Sequence, residues 1–164
     1  MMQTIRGAPE GLQFRKLPMP LHMLPLVEAS SKRAVLIIEN NREFLGTLKF
    51  FLRYGPSISR VLTAENYEDA MRIFNERKSE IGLVVTDMGF PVAAGDRDSL
   101  AGLKLIAAVK ELAPKMPIIA MSGRPEVLGL AKEAGADAVF AKMKMLSEEA
   151  RLPRAVAGLM KKKE

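Results

Sequence analysis

Four polar residues stand directly after short apolar runs in this sequence, and their types suit phosphoryl-transfer chemistry. They are Glu39, Asp87, Ser122 and Lys142. A carboxylate can attack phosphorus, a lysine can neutralise the charge that develops, and a hydroxyl can donate to a phosphoryl oxygen. Carboxylates that share one crevice repel each other unless a cation joins them, and Mg2+ is the natural choice. The four residues together predict phosphorylation of Asp87.

The apolar runs before these residues are typical of strands buried on both faces of a parallel sheet. Strands are predicted over residues 35–38, 58–63, 82–86, 118–121 and 138–141. Apolar residues at helical spacing predict five helices with stripes over 44–52, 67–74, 103–107, 127–131 and 152–160. This alternation predicts an α/β fold, a doubly wound five-stranded parallel sheet with helices on both faces. The ligand site of such a sheet lies at the carboxyl ends of its strands.

Turn and cap residues mark the ends of several predicted elements. Asn40 and Asn41 are candidate caps for the first helix, and Gly55-Pro56 should end it. Pro125 is predicted to open the fourth helix, and Gly135 to end it in the left-handed conformation.

Length and composition indicate one folded domain. The chain has 164 residues, of which 1–32 are predicted to form a proline-rich N-terminal arm and 33–163 the domain. It has no cysteine, and His22 is its single histidine. Thiol nucleophiles, cysteine-ligated zinc and histidine-based triads are therefore excluded. No apolar run approaches the roughly 20 residues that span a bilayer, so we expect a cytoplasmic protein without a membrane partner.

The net charge of +6 lies at the two ends of the chain. Residues 1–33 carry +3, residues 34–142 are neutral and residues 143–164 carry +3. Since the body of the domain is neutral and no nucleic-acid reading motif accompanies the charge, a dedicated nucleic-acid role is not expected.

Four segments in this order resemble the receiver domain of response regulators in two-component signalling, the CheY-like superfamily. Residues 35–40 resemble the first strand with its acidic pair, and 84–91 resemble the strand and loop of the phosphoacceptor. Residues 118–123 match the strand that bears the switch hydroxyl, and 134–142 match the approach to the family's lysine. The similarity covers more than three quarters of the chain and implies a flavodoxin-like sheet with strand order 2-1-3-4-5.

The resemblance implies a role for each residue at the strand ends. Asp87 would accept a phosphoryl group from a histidine kinase or a phosphotransfer protein, Ser122 would move toward the phosphate, and Lys142 would pair with it. Mg2+ would be held by Glu39, Asn40, Asp87 and the backbone carbonyl of Gly89.

The sequence departs from the family pattern at four places. The second acidic residue is replaced by Asn40, which should weaken metal binding. Met143 follows the lysine where proline is usual, which should alter the loop there. Val139 stands where many receivers have a switching aromatic residue, and Phe140 lies on the opposite face of the strand. Residues 92–99 insert a polar loop beside the site.

These features leave two functions open. The first is an active stand-alone receiver that signals through a protein target, contacted by its fourth helix and fifth strand. The second is a pseudo-receiver that acts as a phosphorylation-independent interaction module, which Asn40 and Val139 favour. An enzyme is not expected, because the sequence lacks a phosphate-binding loop and a dinucleotide fingerprint.

Two of the site residues have an alternative interpretation. Lys144, two residues after Lys142, is the other candidate for the lysine that pairs with the phosphate. Ser122 could instead cap the fourth helix.

Overall fold

The structure is a computed structural model that describes residues 33–52, 58–96, 100–147 and 151–161. The strands are β1 (Arg33–Ile38), β2 (Ile58–Ala64), β3 (Ile81–Asp87), β4 (Ile118–Ser122) and β5 (Ala138–Ala141). The helices are α1 (Arg42–Leu52), α2 (Tyr67–Arg77), α3 (Ala101–Leu112), α4 (Leu128–Glu133), α5 (Lys142–Ser147) and α6 (Arg151–Lys161), and a 3-10 turn (Pro125–Val127) precedes α4.

All five strands are parallel, in the order β2-β1-β3-β4-β5. This confirms the predicted fold class and strand order. Successive side chains of a strand point to opposite faces. Val35 and Ile37 of β1 therefore pack in one core with α1 and α6, whereas Leu36 and Ile38 pack in the other with α2, α3 and α4. β3 is buried at every position, because it lies in the middle of the sheet under both helix layers.

The register of the sheet brings the carboxyl ends of the strands together. Ile38 of β1 pairs with Thr86 of β3, and Asp87 pairs with Met121 of β4. Ser122 of β4 in turn pairs with Ala141 of β5. Residues that end or directly follow these strands therefore share one edge of the sheet.

The structure corrects some predicted elements. β3 extends to Asp87, so the candidate nucleophile is the last residue of its strand rather than the first of a loop. The prediction of five helices was wrong, because the short helix α5 begins at Lys142 directly after β5. Its lysine and methionine residues are good helix formers, so the chain turns into a helix without a loop. The fourth helix also begins later than predicted, after the 3-10 turn at Pro125.

Two of the predicted cap residues, Asn41 and Gly135, are confirmed. The Asn41 side chain accepts a hydrogen bond from the backbone N–H of Phe44 at 2.9 Å and so caps α1. Gly135 follows α4 with φ +110°, a conformation that favours glycine. The predictions for 1–32, for Gly55-Pro56 and for 97–99 lie outside the described residues. Among the helices that are described, none has the length and apolar character needed to cross a membrane.

Candidate functional site

Three of the predicted site residues are buried at the carboxyl edge of the sheet. Glu39 follows β1, Asp87 ends β3 and Ser122 ends β4, with exposed fractions of 1%, 6% and 3%. Charged residues are rarely buried to this extent unless they are paired. The burial of two carboxylates side by side therefore requires a neighbouring positive charge.

Lys142 supplies that charge. Its ammonium lies 2.6 Å from Oε2 of Glu39 and 3.0 Å from Oδ2 of Asp87. The lysine stands at the end of β5, where the pairing of Ser122 with Ala141 brings it to the edge of the sheet. Lys144 is exposed and lies beside β5. The structure thus brings Lys142 into contact with both carboxylates.

The Asp87 side chain is fixed in place but remains accessible. Its Oδ1 accepts a hydrogen bond from the backbone N–H of Met88 at 2.8 Å. Its Oδ2 contacts the lysine, and 9% of the side-chain surface is exposed to solvent. A Cβ atom at Gly102 would lie 2.5 Å from the backbone oxygen of Asp87, so only glycine allows α3 to approach β3 this closely. The carboxylate of Asp87 therefore has a fixed orientation and keeps part of its surface exposed to solvent.

Glu39 is held by both of its oxygens. Oε2 contacts Lys142, and Oε1 accepts a hydrogen bond from the backbone N–H of Asn41 at 2.9 Å. Burial raises the pKa of the Glu39 carboxyl above its ordinary value of 4.5, and the negative charge of Asp87 adds to this effect. The bonds from Lys142 and Asn41 oppose the rise but do not cancel it. Ionised Glu39 is therefore costly to bury.

We expect Glu39→Gln to raise the stability of the metal-free chain at pH 7. The carboxyl ionises less readily in the folded chain than in the unfolded chain. Its contribution to stability is therefore complete below pH 4.5 and falls as pH rises through the folded pKa. Urea denaturation in EDTA should show the variant more stable than wild type at pH 7, with the difference gone below pH 4.5. Glu111→Gln on the exposed face of α3 is the control. A less stable Glu39→Gln chain at pH 7 would contradict this account.

Ser122, Asn40 and Gly89 end or follow strands whose carboxyl ends lie at this edge of the sheet. The Ser122 hydroxyl oxygen accepts a hydrogen bond from the backbone N–H of Arg124 at 2.9 Å. This bond closes the turn before Pro125, and α4 has no side-chain cap at its N-terminus, so the alternative that Ser122 caps the fourth helix is wrong. Asn40 and Gly89 are half-buried and follow β1 and β3.

The oxygen ligands available at this site are of the types that bind Mg2+. Mg2+ in proteins is commonly bound by one or two carboxylates, with other oxygens and water completing its shell. Glu39 and Asp87 supply the carboxylates. One oxygen of each contacts the same lysine ammonium, so the two carboxylates are close enough to share a positive charge. Within the described ranges no group of three or more acidic or histidine residues could hold a metal ion. The two carboxylates would thus be joined by neutral oxygens, for which Asn40 and Gly89 are the candidates.

A groove of about 230 Å³ runs over β5, near the lysine. Val139 lines it from the face that packs with α4, while Phe140 is buried in the core with α1 and α6. The two residues thus lie in different cores, as the alternation along a strand predicts. The groove is lined by Pro125, Leu128, Val139, Phe140, Ala141, Lys144 and Arg151.

Sequence analysis missed one side chain of the pocket. The Lys142 ammonium lies 4.6 Å from the centre of the Phe44 ring, in the first turn of α1. The sequence places Phe44 only in the apolar stripe over residues 44–52. The signal that could have identified it is its position three residues after the cap Asn41, which places it in the turn that faces the strand ends.

The comparisons with known proteins agree with this geometry. The family model of the response regulator receiver domain matches residues 35–152. A response regulator receiver domain protein from Clostridium thermocellum is 25% identical, with a TM-score of 0.64, and the match covers 80% of this chain and 96% of that one. The non-phosphorylated receiver domain of the stress response regulator RcsB from Escherichia coli is 20% identical, with a TM-score of 0.63, covering 79% and 94%. A search of curated proteins finds no match.

Proposed function

Because the chain belongs to the family of response regulator receiver domains, we propose that it accepts a phosphoryl group on Asp87 and signals through contact with a protein target. The donor would be the phosphohistidine of a histidine kinase or phosphotransfer protein. The observation that carries the proposal is the contact of the Lys142 ammonium with both Asp87 and Glu39. This contact supplies a positively charged partner to a buried nucleophile that keeps part of its surface exposed to solvent.

The chemistry requires little from the protein beyond orientation and charge. A carboxylate oxygen of Asp87 attacks the phosphorus, the bond from phosphorus to the donor nitrogen breaks, and the imidazole leaves with the electron pair. The product is a mixed anhydride between the Asp87 carboxyl and phosphate. Lys142 offsets the added negative charge, and the Ser122 hydroxyl is the candidate donor to a phosphoryl oxygen. Mg2+ bound by Glu39, Asp87, Asn40 and the Gly89 carbonyl would shield the phosphoryl oxygens from the carboxylates.

The signal would follow from a change of partners at Lys142. A phosphoryl group adds about two negative charges to a site that holds two carboxylates and one ammonium. Lys142 is also the first residue of α5, whose Lys144 lines the groove over β5. A shift of the lysine toward phosphate would therefore act directly on this groove, which we propose as the contact surface for the target.

The proposed reaction is tested with the full chain, Mg2+ and acetyl phosphate. We expect intact-mass spectrometry to show the addition of one phosphoryl group, and peptide mapping to locate it on Asp87. Without Mg2+ the modified fraction should fall. An unmodified chain, with no spectral response to beryllofluoride, would reject the proposal and favour the pseudo-receiver, in which the groove binds its target without phosphorylation. The two departures that favour this second function are Asn40 among the ligands and Val139 in the groove.

A further inference from the structure

Among the residues that the structure describes, the ammonium of Lys142 contacts three groups, two of which are the carboxylates of Glu39 and Asp87. The third is the face of Phe44, whose ring centre lies 4.6 Å from Nζ. This is within the roughly 6 Å over which a ring attracts a cation. Only 18% of the lysine side chain is exposed, so the ring replaces part of the water that a free ammonium would bind.

The backbone of Phe44 is connected through Asn41 to the carboxylate of Glu39. Oε1 of Glu39 accepts the backbone N–H of Asn41 at 2.9 Å, and the Asn41 side chain accepts the backbone N–H of Phe44 at 2.9 Å. Oε2 of Glu39 contacts the lysine. Two hydrogen bonds therefore connect the carboxylate on one side of the ammonium to the ring on another.

We propose that Phe44 is a positioning residue that holds the Lys142 ammonium beside Asp87 before the phosphoryl group arrives. The inference rests on the proposed function of Asp87. A preoriented positive charge stabilises the charge of the transferring group without reorganising during the reaction. A lysine without the ring would have more rotamers available, and the fraction directed at Asp87 would fall.

Phe44→Leu tests the inference, because leucine keeps an apolar side chain in α1 but has no ring. We expect Phe44→Leu to slow phosphorylation by acetyl phosphate about three- to tenfold, within the range known for cation–ring contacts. Phe44→Tyr should restore the rate to within about twofold, because tyrosine keeps the ring face. The matched control is Phe50→Leu in the same helix, where the side chain is 63% exposed, and it should leave the rate unchanged.

A second measurement separates positioning from packing. Phe44 also packs against the core on the α1 side, so its loss could act through stability alone. In a chain that carries Lys142→Met, adding Phe44→Leu should cause no further slowing if the ring acts through the lysine. An equal slowing in both backgrounds, or failure of Phe44→Tyr to restore the rate, would overturn the inference.

The NMR signals of the Lys142 side chain provide a readout that does not depend on phosphorylation. Methylene protons over a ring face are shifted upfield, and Lys142→Met identifies the signals by their disappearance. We expect the shift in wild type and in Phe44→Tyr, and its loss in Phe44→Leu. If the shift is present while wild type is never phosphorylated, the proposed function fails and the positioning of the lysine stands. If wild type is phosphorylated and the shift is absent, the positioning inference fails alone.

Discussion

Replacing Asp87 with alanine is expected to abolish the gain in mass that the wild-type chain shows with acetyl phosphate and Mg2+. The only other carboxylate of the pocket, among the residues that the structure describes, is Glu39. Its two oxygens are bound by Lys142 and by the backbone N–H of Asn41. It is also buried more completely than Asp87. We therefore expect no transfer of the reaction to Glu39.

The matched control is Asp96→Ala, in the loop that follows β3. The Asp96 side chain is exposed and accepts a hydrogen bond from the backbone N–H of Ala93 at 3.0 Å. This variant should be phosphorylated as wild type is. Asp87→Ala should remain folded, because Lys142 keeps Glu39 as its partner, and its free energy of unfolding should change by no more than about 1 kcal/mol. A phosphorylated Asp87→Ala chain would show that the nucleophile has been misassigned.

Replacing Lys142 with methionine is expected to impair both stability and phosphorylation. The substitution keeps an unbranched side chain in the first turn of α5 but removes the ammonium that contacts both carboxylates. Breaking a fully buried pair costs about 3–5 kcal/mol, because an uncompensated charge remains. Since 18% of the Lys142 side chain is exposed, we expect a smaller loss, about 2–3 kcal/mol in the free energy of unfolding.

The same substitution should slow phosphorylation by acetyl phosphate about 100-fold, a magnitude typical for the loss of one group that stabilises a developing charge. Denaturation in urea and initial rates by intact-mass spectrometry measure the two effects. Lys144→Met is the matched control two residues away, on the same helix, and should retain the rate and stability of wild type. If Lys144→Met were the slower variant, Lys144 would be the phosphate partner instead.

Together these variants separate the roles of three neighbouring charges. Asp87→Ala removes the nucleophile, Lys142→Met removes the charge partner, and Glu39→Gln removes the cost of a buried carboxylate. The free energy of unfolding should fall in Lys142→Met and rise in Glu39→Gln. The lysine compensates the charge of the carboxylates, whereas burial of ionised Glu39 costs stability. The presence of a second buried carboxylate at a cost in stability supports the proposed phosphoryl transfer, in which its charge has a use.

Much of the fold could be predicted from the sequence because the signals are local. Runs such as Ile37–Ile38 and Val84–Val85 are apolar and β-branched, as strands with two covered faces require. Helical spacing between such runs implies parallel crossovers, and the caps at Asn41 and Gly135 mark helix ends. Parallel strands joined in this way must present their carboxyl ends at one edge. The sequence alone therefore determined that Glu39, Asp87 and Ser122 would share it.

Which side chains meet was decided by the tertiary structure. Glu39 and Lys142 are 103 residues apart in the sequence. Local sequence patterns do not predict whether the side chains of such distant residues are in contact. The choice between Lys142 and Lys144 depends on the register of β5 against β4 and on the helix that begins at once after β5. The contact of Phe44 with the lysine depends on the packing of α1 over the strand ends. Periodicity assigns a residue to a face, but distance and burial, which set charge and pKa, arise only when the faces pack.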